Sequence, residues 1–442
     1  MKFYSITSRN LKHALTLLFA VFLTGIFQAQ NLSISPYSRF GVGDLQPIQT
    51  PRNVAMGGLS VALVSPLDLT TQNPASYMNL DSLMVNFEVA LHTAHSRLQQ
   101  TINGETTSAN TNRASLGQIS FAFPITNWLR SGFGLTPTSN MSYNVSREFG
   151  VGDTIIGRRI LNHQGDGGLS QVFFGLALGT NQISVGANFN YQFGSFTRNT
   201  YVFFLDTILP IPTATERLVE INAAGFFVDF GLQYRQPLSA RYQLGFGFTF
   251  RPRYNLNADR NLLELSTFRQ GGIVDTIHAE ASAEGTLRMP EMYRFGLSLE
   301  RLGRWVIAAE YSLVDFSNYR EFGHRDPNLS VSQMFRMGME YKGRPFDNRF
   351  MNRLTYRFGF HHGTSYVAFG EESLIQQGIS FGFGMPIVRR GGFGGNFARL
   401  DFAIELGRKG NRNIPGQIQE NYGRIVVGIS AFDRWFIRGR FD

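Results

Sequence analysis

The chain has no cysteine among its 442 residues. Disulfides, thiol nucleophiles, cysteine-held zinc or iron–sulfur centres and a lipid anchor on an N-terminal cysteine are thereby excluded. Lysine is almost as scarce: beyond position 12 only Lys342 and Lys409 occur, and every other cationic side chain there is arginine. The formal charge is +9, but Lys2, Arg9 and Lys12 sit in the first 29 residues without an acid, and the remainder carries 38 basic against 32 acidic residues, or +6. These arginines are scattered along the chain and not clustered, which argues against a nucleic-acid partner. Catalytic signatures are missing too. There is no GxSxG elbow, the glycines at 391–395 fit no phosphate-loop spacing, and His92 and His95 stand in no triad order. His361 and His362 are adjacent, so on a strand they face opposite ways and make a poor metal pair. The reading is a non-enzyme with no cofactor and no metal site.

What the chain does have is 41 phenylalanines, 47 glycines and a repeated pattern. In Ile183 to Phe193, isoleucine, valine, alanine, phenylalanine and tyrosine alternate with serine, glycine, asparagine and glutamine. That is a strand with one apolar and one polar face, of about the ten-residue length that a tilted strand needs to cross a bilayer. Similar segments begin near Leu83, Ile119, Leu129 and Val172, then near Ala224, Tyr242, Tyr293, Trp305 and Phe335. The last four begin near Leu354, Ile379, Leu400 and Ile425. With Ile183 to Phe193 they make fourteen, an even number, as a closed bacterial barrel without lipid-exposed edges requires. Connections alternate between tight ones, such as Thr126-Asn127 and Leu302-Gly303, and long ones at about 92–115, 138–168, 197–220 and 252–288. Short inner turns and long outer loops are the habit of outer-membrane barrels. Two inner connections, Gly343 to Asn352 and Val388 to Phe397, are longer than such turns need to be.

The expected organisation is all-β: a 14-stranded antiparallel transmembrane β-barrel with an N-terminal plug, or hatch. Residues 1–29 read as a secretory leader with a basic start and an apolar stretch. Residues 30–81 lack the alternation, are broken by prolines and glycines, and are assigned to the plug. The barrel is placed at 82–432 and a periplasmic tail at 433–442. Inside the plug segment, the small-residue run Ala55 to Ala62 precedes Asn73-Pro74-Ala75. Here the sequence resembles the FadL-type outer-membrane transporter family, whose hatch carries an Asn-Pro-Ala motif just before the first long strand. Ala309-Glu310-Tyr311, Arg336 to Tyr341 and Leu354 to Phe360 are similar to late strands of that family, so the resemblance spans nearly the whole mature chain.

The resemblance implies residence in the outer membrane, contact with its lipid, and passive uptake of a hydrophobic, fatty-acid-like small molecule with lateral release. In that family the third strand bends inward and opens the wall, which carries over to Gly132, Phe133, Gly134 and Pro137 as the gate strand. Inward charges, among them Glu88, Asp229, Arg294, Arg336, Arg357 and Arg399, read most simply as ion pairs that fill the lumen or tie the plug to the wall. The second reading is a set of ligand contacts, since an arginine fork suits a carboxylate. FadL-like barrels also include non-transporting accessory subunits of outer-membrane secretion or barrel-assembly complexes. The long inner connections would suit such outer-membrane or periplasmic protein partners.

Overall fold

The computed structural model describes residues 35–46, 50–82, 84–102, 104–150, 157–180, 182–205, 213–268, 273–344, 347–370, 372–388 and 397–434. The leader at 1–29, the glycine-rich turn at 389–395 and the tail beyond Arg434 lie outside the described residues.

Among the described residues, fourteen antiparallel strands form one closed wall. They are β1 (Met84–Ile102), β2 (Glu105–Pro124), β3 (Leu129–Phe149), β4 (Arg159–Gly179), β5 (Ile183–Phe204) and β6 (Thr213–Pro237). Next come β7 (Tyr242–Arg251, resuming at Tyr254–Phe268) and β8 (Ile273–Met289, resuming at Met292–Arg301). The wall is completed by β9 (Trp305–Asp315), β10 (Val331–Tyr341), β11 (Thr355–Phe369), β12 (Glu372–Val388), β13 (Phe397–Lys409) and β14 (Gln419–Arg434). Strand β14 pairs with β1 from Gln419–Gln99 to Arg434–Met84 and closes the cylinder.

Side chains are sorted inside out relative to a water-soluble protein. On β5, Ile183, Val185 and Phe189 are 48%, 47% and 51% exposed, while Ser184, Asn188, Asn190 and Gln192 are at most 3% exposed. Apolar faces are left outside because the surrounding solvent is hydrocarbon. The backbone polar groups are satisfied between strands, as a membrane demands.

The outer loops expected at 92–115, 138–168, 197–220 and 252–288 are instead largely continuous hairpin. Gln99 pairs with Ser108, Asn144 with Gln164, Thr200 with Arg217 and Leu256 with Leu287. Beyond the bilayer both faces meet water, so the apolar alternation disappears while the backbone ladder continues. The wall is therefore tall over β1–β8 and lower at β9 and β10. The chain between those two low strands, from Phe316 to Ser330, turns inward: Phe316, Tyr319 and Leu329 join Tyr37, Phe40, Tyr366 and Leu287 in an apolar core across the outer mouth. Beneath that core, residues 50–82 run through the barrel interior and are almost wholly buried.

Candidate functional site

The interior segment is fastened by Arg52 and Asp68, the only charged residues between Thr50 and Leu80. Arg52 lies on a five-residue helix, α1 (Pro51–Ala55), started by the fixed φ of Pro51 and capped by Thr50, whose side chain accepts from the Asn53 amide. Its guanidinium meets Glu340 of β10 in a two-pronged pair, Nε to Oε2 at 2.9 Å and Nη2 to Oε1 at 3.0 Å. Glu340 also accepts from Arg357 of β11 at 2.7 Å, and Arg357 donates to Asp401 of β13 at 2.6 Å. Asp401 accepts from Arg399 at 2.6 Å, Arg399 pairs with Asp68, and Asp68 lies 3.3 Å from Arg52. Three arginines and three carboxylates thus alternate around a closed ring, two from the plug and four from the wall. All six side chains are nearly inaccessible. Burial pushes the Asp68 carboxyl up, but Arg399 and Arg52 outweigh it and hold the group well below the usual carboxylate range.

Further ties lie around the ring. Glu310 of β9 accepts from the Ser60 and Val61 amides at 2.8 and 3.0 Å. Arg294 of β8 donates to Gln72 at 2.6 Å. Asn73 caps the 3₁₀ turn Pro74–Asn79, accepting from the Ala75 amide at 3.1 Å and donating to Val61 O at 2.7 Å. Tyr77, at the far side of that turn, donates to Asn188 at 2.8 Å. Wall glycines admit the plug backbone: a Cβ at Gly359 would lie 1.9 Å from Gly57 N, and one at Gly231 2.2 Å from Asn73 Oδ1.

Among the described residues, the shortest contact between neighbouring wall strands is the seam between β2 and β3. Strands β2 and β3 are paired over only six residues, from Ile119–Leu135 to Pro124–Arg130, whereas β3 and β4 are paired along nearly their whole length. Pro137 has no amide hydrogen to give, and a register shift separates it from Ser139. Gly132 and Gly134, expected at the opening, lie below it and remain paired with Ala122 and Ser120. The small size of Gly134 has another cause. A Cβ there would be 2.4 Å from Ile119 O and 2.8 Å from the Phe173 ring, whereas one at Gly132 would make ordinary contact, 3.5 Å from Tyr77. Phe133 faces outward against Phe121, with centroids 5.1 Å apart.

Above Leu135 the edge of β3 is taken by residues 35–46 of the plug. Asp44 and Leu45 pair with Asn140 and Ser139, Gln46 N donates to Thr138 O at 2.8 Å, and Ser35 N donates to Ser142 O at 3.1 Å. On the other side Arg113 of β2 donates to Gln46 at 3.0 Å. Lys409 holds Asp44 at 2.8 Å, and Tyr37 hydrogen-bonds Ile418 O. The seam is filled, strand-fashion, by the chain's own N-terminal part.

Between the outer apolar core and the ring lies a cavity of about 300 Å³. Of the six expected lumen residues, Asp229, Arg294 and Arg336 line it, while Arg357 and Arg399 belong to the ring and Glu88 is buried on β1 away from it. Asp229 is already paired with Arg251 at 2.8 Å. The lining is mixed: Gln171, Gln192, Glu405 and Arg424 share it with Val42, Phe250, Met289, Met292, Val314 and Met334. Arg52 and Asp68, the plug's half of the ring, were missed from sequence. The signal was there: they are the only charged residues between Thr50 and Leu80.

A model of the BamG family matches residues 11–442. No curated protein sequence matches the chain. Among solved structures, the toluene transporter TodX of Pseudomonas putida is 16% identical, with a TM-score of 0.53 over 89% of this chain and 99% of its own. A FadL homologue of Pseudomonas aeruginosa is 12% identical, with a TM-score of 0.56 over 89% and 100%. The monoaromatic hydrocarbon channel CymD is 16% identical, with a TM-score of 0.50 over 90% and 100%. At these identities the likeness establishes the fold alone, a FadL-like β-barrel.

Proposed function

Because the chain belongs to the BamG family, we propose that it serves as a closed, non-transporting barrel subunit of an outer-membrane machine for protein secretion or barrel assembly. The observation that carries this reading is the closed ion ring, Arg52–Glu340–Arg357–Asp401–Arg399–Asp68. Removing one member of a buried pair leaves an uncompensated charge at a cost of about 3–5 kcal/mol. A plug that had to move for each ligand would meet that cost on every cycle. The apolar core over the mouth points the same way, since Tyr37, Phe40, Phe316, Tyr319 and Leu329 close the outer end of the barrel above the cavity. In this role the barrel is a rigid scaffold: its lipid-facing wall and its inner turns present surfaces to partners, and its lumen does no chemistry.

A second reading is favoured by the β2–β3 seam. If residues 35–46 left the edge of β3, a side opening above Pro137 would connect the cavity with the membrane. A hydrophobic small molecule, such as the aromatic hydrocarbons named for the proteins of like fold, could then leave sideways. Native mass spectrometry of the protein extracted gently from its own outer membrane separates the two readings. A stoichiometric protein partner with no small-molecule adduct is the expected result. A single hydrophobic adduct with no partner would reverse the order of the two readings.

A further inference from the structure

The inner rim is not evenly charged. Between β6 and β11 the inner connections carry Arg241, Arg301, Arg304, Arg344, Arg349 and Arg353, against Asp347 alone. Among the described residues none of these arginines has a carboxylate within salt-bridge distance; the rim's Lys342, by contrast, is paired with Glu300. Their level in the membrane is fixed by strand register. Tyr242 pairs with Arg301, Arg301 with Trp305, Trp305 with Tyr341 and Tyr341 with Tyr356. These residues share the outward face, because their strand neighbours Glu300, Val306, Glu340 and Arg357 are buried inside. They form a row of aromatic side chains with an arginine set into it, and the Tyr242 and Trp305 rings lie 6.2 Å apart beside Arg301. Such a row marks the boundary between hydrocarbon and headgroups.

The unusually long inner connection ends on that row. Its four-residue helix, α2 (Phe350–Arg353), leaves Phe350 and Met351 52% and 61% exposed. The lipid-facing Tyr356 donates to Met351 O at 3.0 Å and holds the helix against the outside of the barrel. Two large apolar side chains are thereby offered at the membrane boundary, flanked by Arg349 and Arg353. Water would leave those side chains exposed at a cost, whereas an interface accommodates both the apolar tips and the cations.

We propose that this sector, from the β6–β7 turn to α2, is a binding site for the headgroup phosphate of an anionic phospholipid of the inner leaflet. Arg301 and Arg304 supply planar forks that meet a phosphate with two hydrogen bonds each, and Arg349 and Arg353 hold a second headgroup beside Phe350 and Met351. The opposite inner turns, Thr126 to Trp128 and Thr180 to Gln182, hold no cation of their own, and the arginines beside them, Arg130 and Arg235, donate to the turn carbonyls of Thr126 and Thr180.

The test compares phosphatidylglycerol with phosphatidylcholine on the full-length purified barrel, with retained lipid counted by native mass spectrometry. Wild type should retain phosphatidylglycerol preferentially. The triple variant Arg301→Gln, Arg304→Gln, Arg349→Gln should lose about a hundredfold in that preference, at roughly fivefold per arginine. Heat-dependent gel mobility checks that the variant is folded. A photoreactive phosphatidylglycerol, used on wild type alone, should label peptides containing 301–305 and 347–353. Equal retention of the two lipids, an undiminished preference in the folded variant, or labelling spread evenly around the rim would each overturn the proposal. Loss of an acidic periplasmic protein from the variant with lipid retention unchanged would also overturn it, and would assign the surface to a protein.

Discussion

The two ends of the plug are held by different physics. Residues 50–82 meet β8–β13 through a buried ring of alternating charges and through backbone seated on wall glycines. Residues 35–46 meet β3 through a short ladder of backbone hydrogen bonds, β13 through the pair Lys409–Asp44, whose carboxylate is 27% exposed, and the outer core through Tyr37 and Phe40. A desolvated network resists the loss of any one member, because its partners are then stranded in low dielectric. A strand laid along an edge can be exchanged for water or for another strand at modest cost. The comparison assigns rigidity to the ring side and whatever mobility the plug has to the seam.

Asp401→Ala should have the largest effect. It leaves Arg357 and Arg399 facing each other without their shared carboxylate, at a cost of about 3–5 kcal/mol, read as a lowered urea midpoint for unfolding of the reconstituted barrel. Removing both plug charges together, as Arg52→Met with Asp68→Leu, leaves a balanced wall quartet. That double variant should be destabilised by less than the sum of its single changes, and simple additivity would mean that the six groups are not one network. Gly359→Ala comes next, at about 1–3 kcal/mol, since its methyl would press on Gly57 N, which cannot retreat. On the seam side, Asp44→Asn should cost about 1 kcal/mol or less. Its clearer sign would be faster proteolysis within residues 35–46 while residues 50–82 stay protected.

Acid provides the gentlest probe. The Asp68 carboxyl is held below its unfolded value, so its contribution is fully present above about pH 4 and is lost only as pH falls through the depressed folded value. Protection of residues 50–82 from protease should therefore stay flat from neutral pH down to about pH 4. A midpoint between pH 5 and 7 would show that the ring does not hold the plug.

The barrel was legible because its alternation repeats in every strand, and the strand count follows from that repeat alone. The height of the wall was not. Outside the membrane Gln99–Ser108 and its neighbours pair through backbone with polar side chains on both faces, which looks like loop to any reading of hydrophobic period. The seam was half legible. Pro137 stands beside the register shift in β3, whereas a sequence does not state that Gly134 leaves room for the Phe173 ring. The ring was hidden for a different reason: Arg52 and Glu340 are 288 positions apart, and nothing local in a sequence states which distant charges meet. Charges that looked equivalent along the strands fall into three groups once folded, with Arg357 and Arg399 in the ring, Asp229 paired with Arg251 of the next strand, and Arg294 bound to the plug's Gln72.

The central claim is that the barrel works with its plug in place. Because the chain has no cysteine, a pair introduced as Leu45→Cys and Ser139→Cys, which face each other across the seam, would form a unique disulfide pinning residues 35–46 to β3. The measurement is function of the oxidised variant in its own host, scored by growth and by co-purification of its partner. The account predicts that both match wild type. Loss of function on oxidation, restored by a reductant, would contradict it and show that the seam must open.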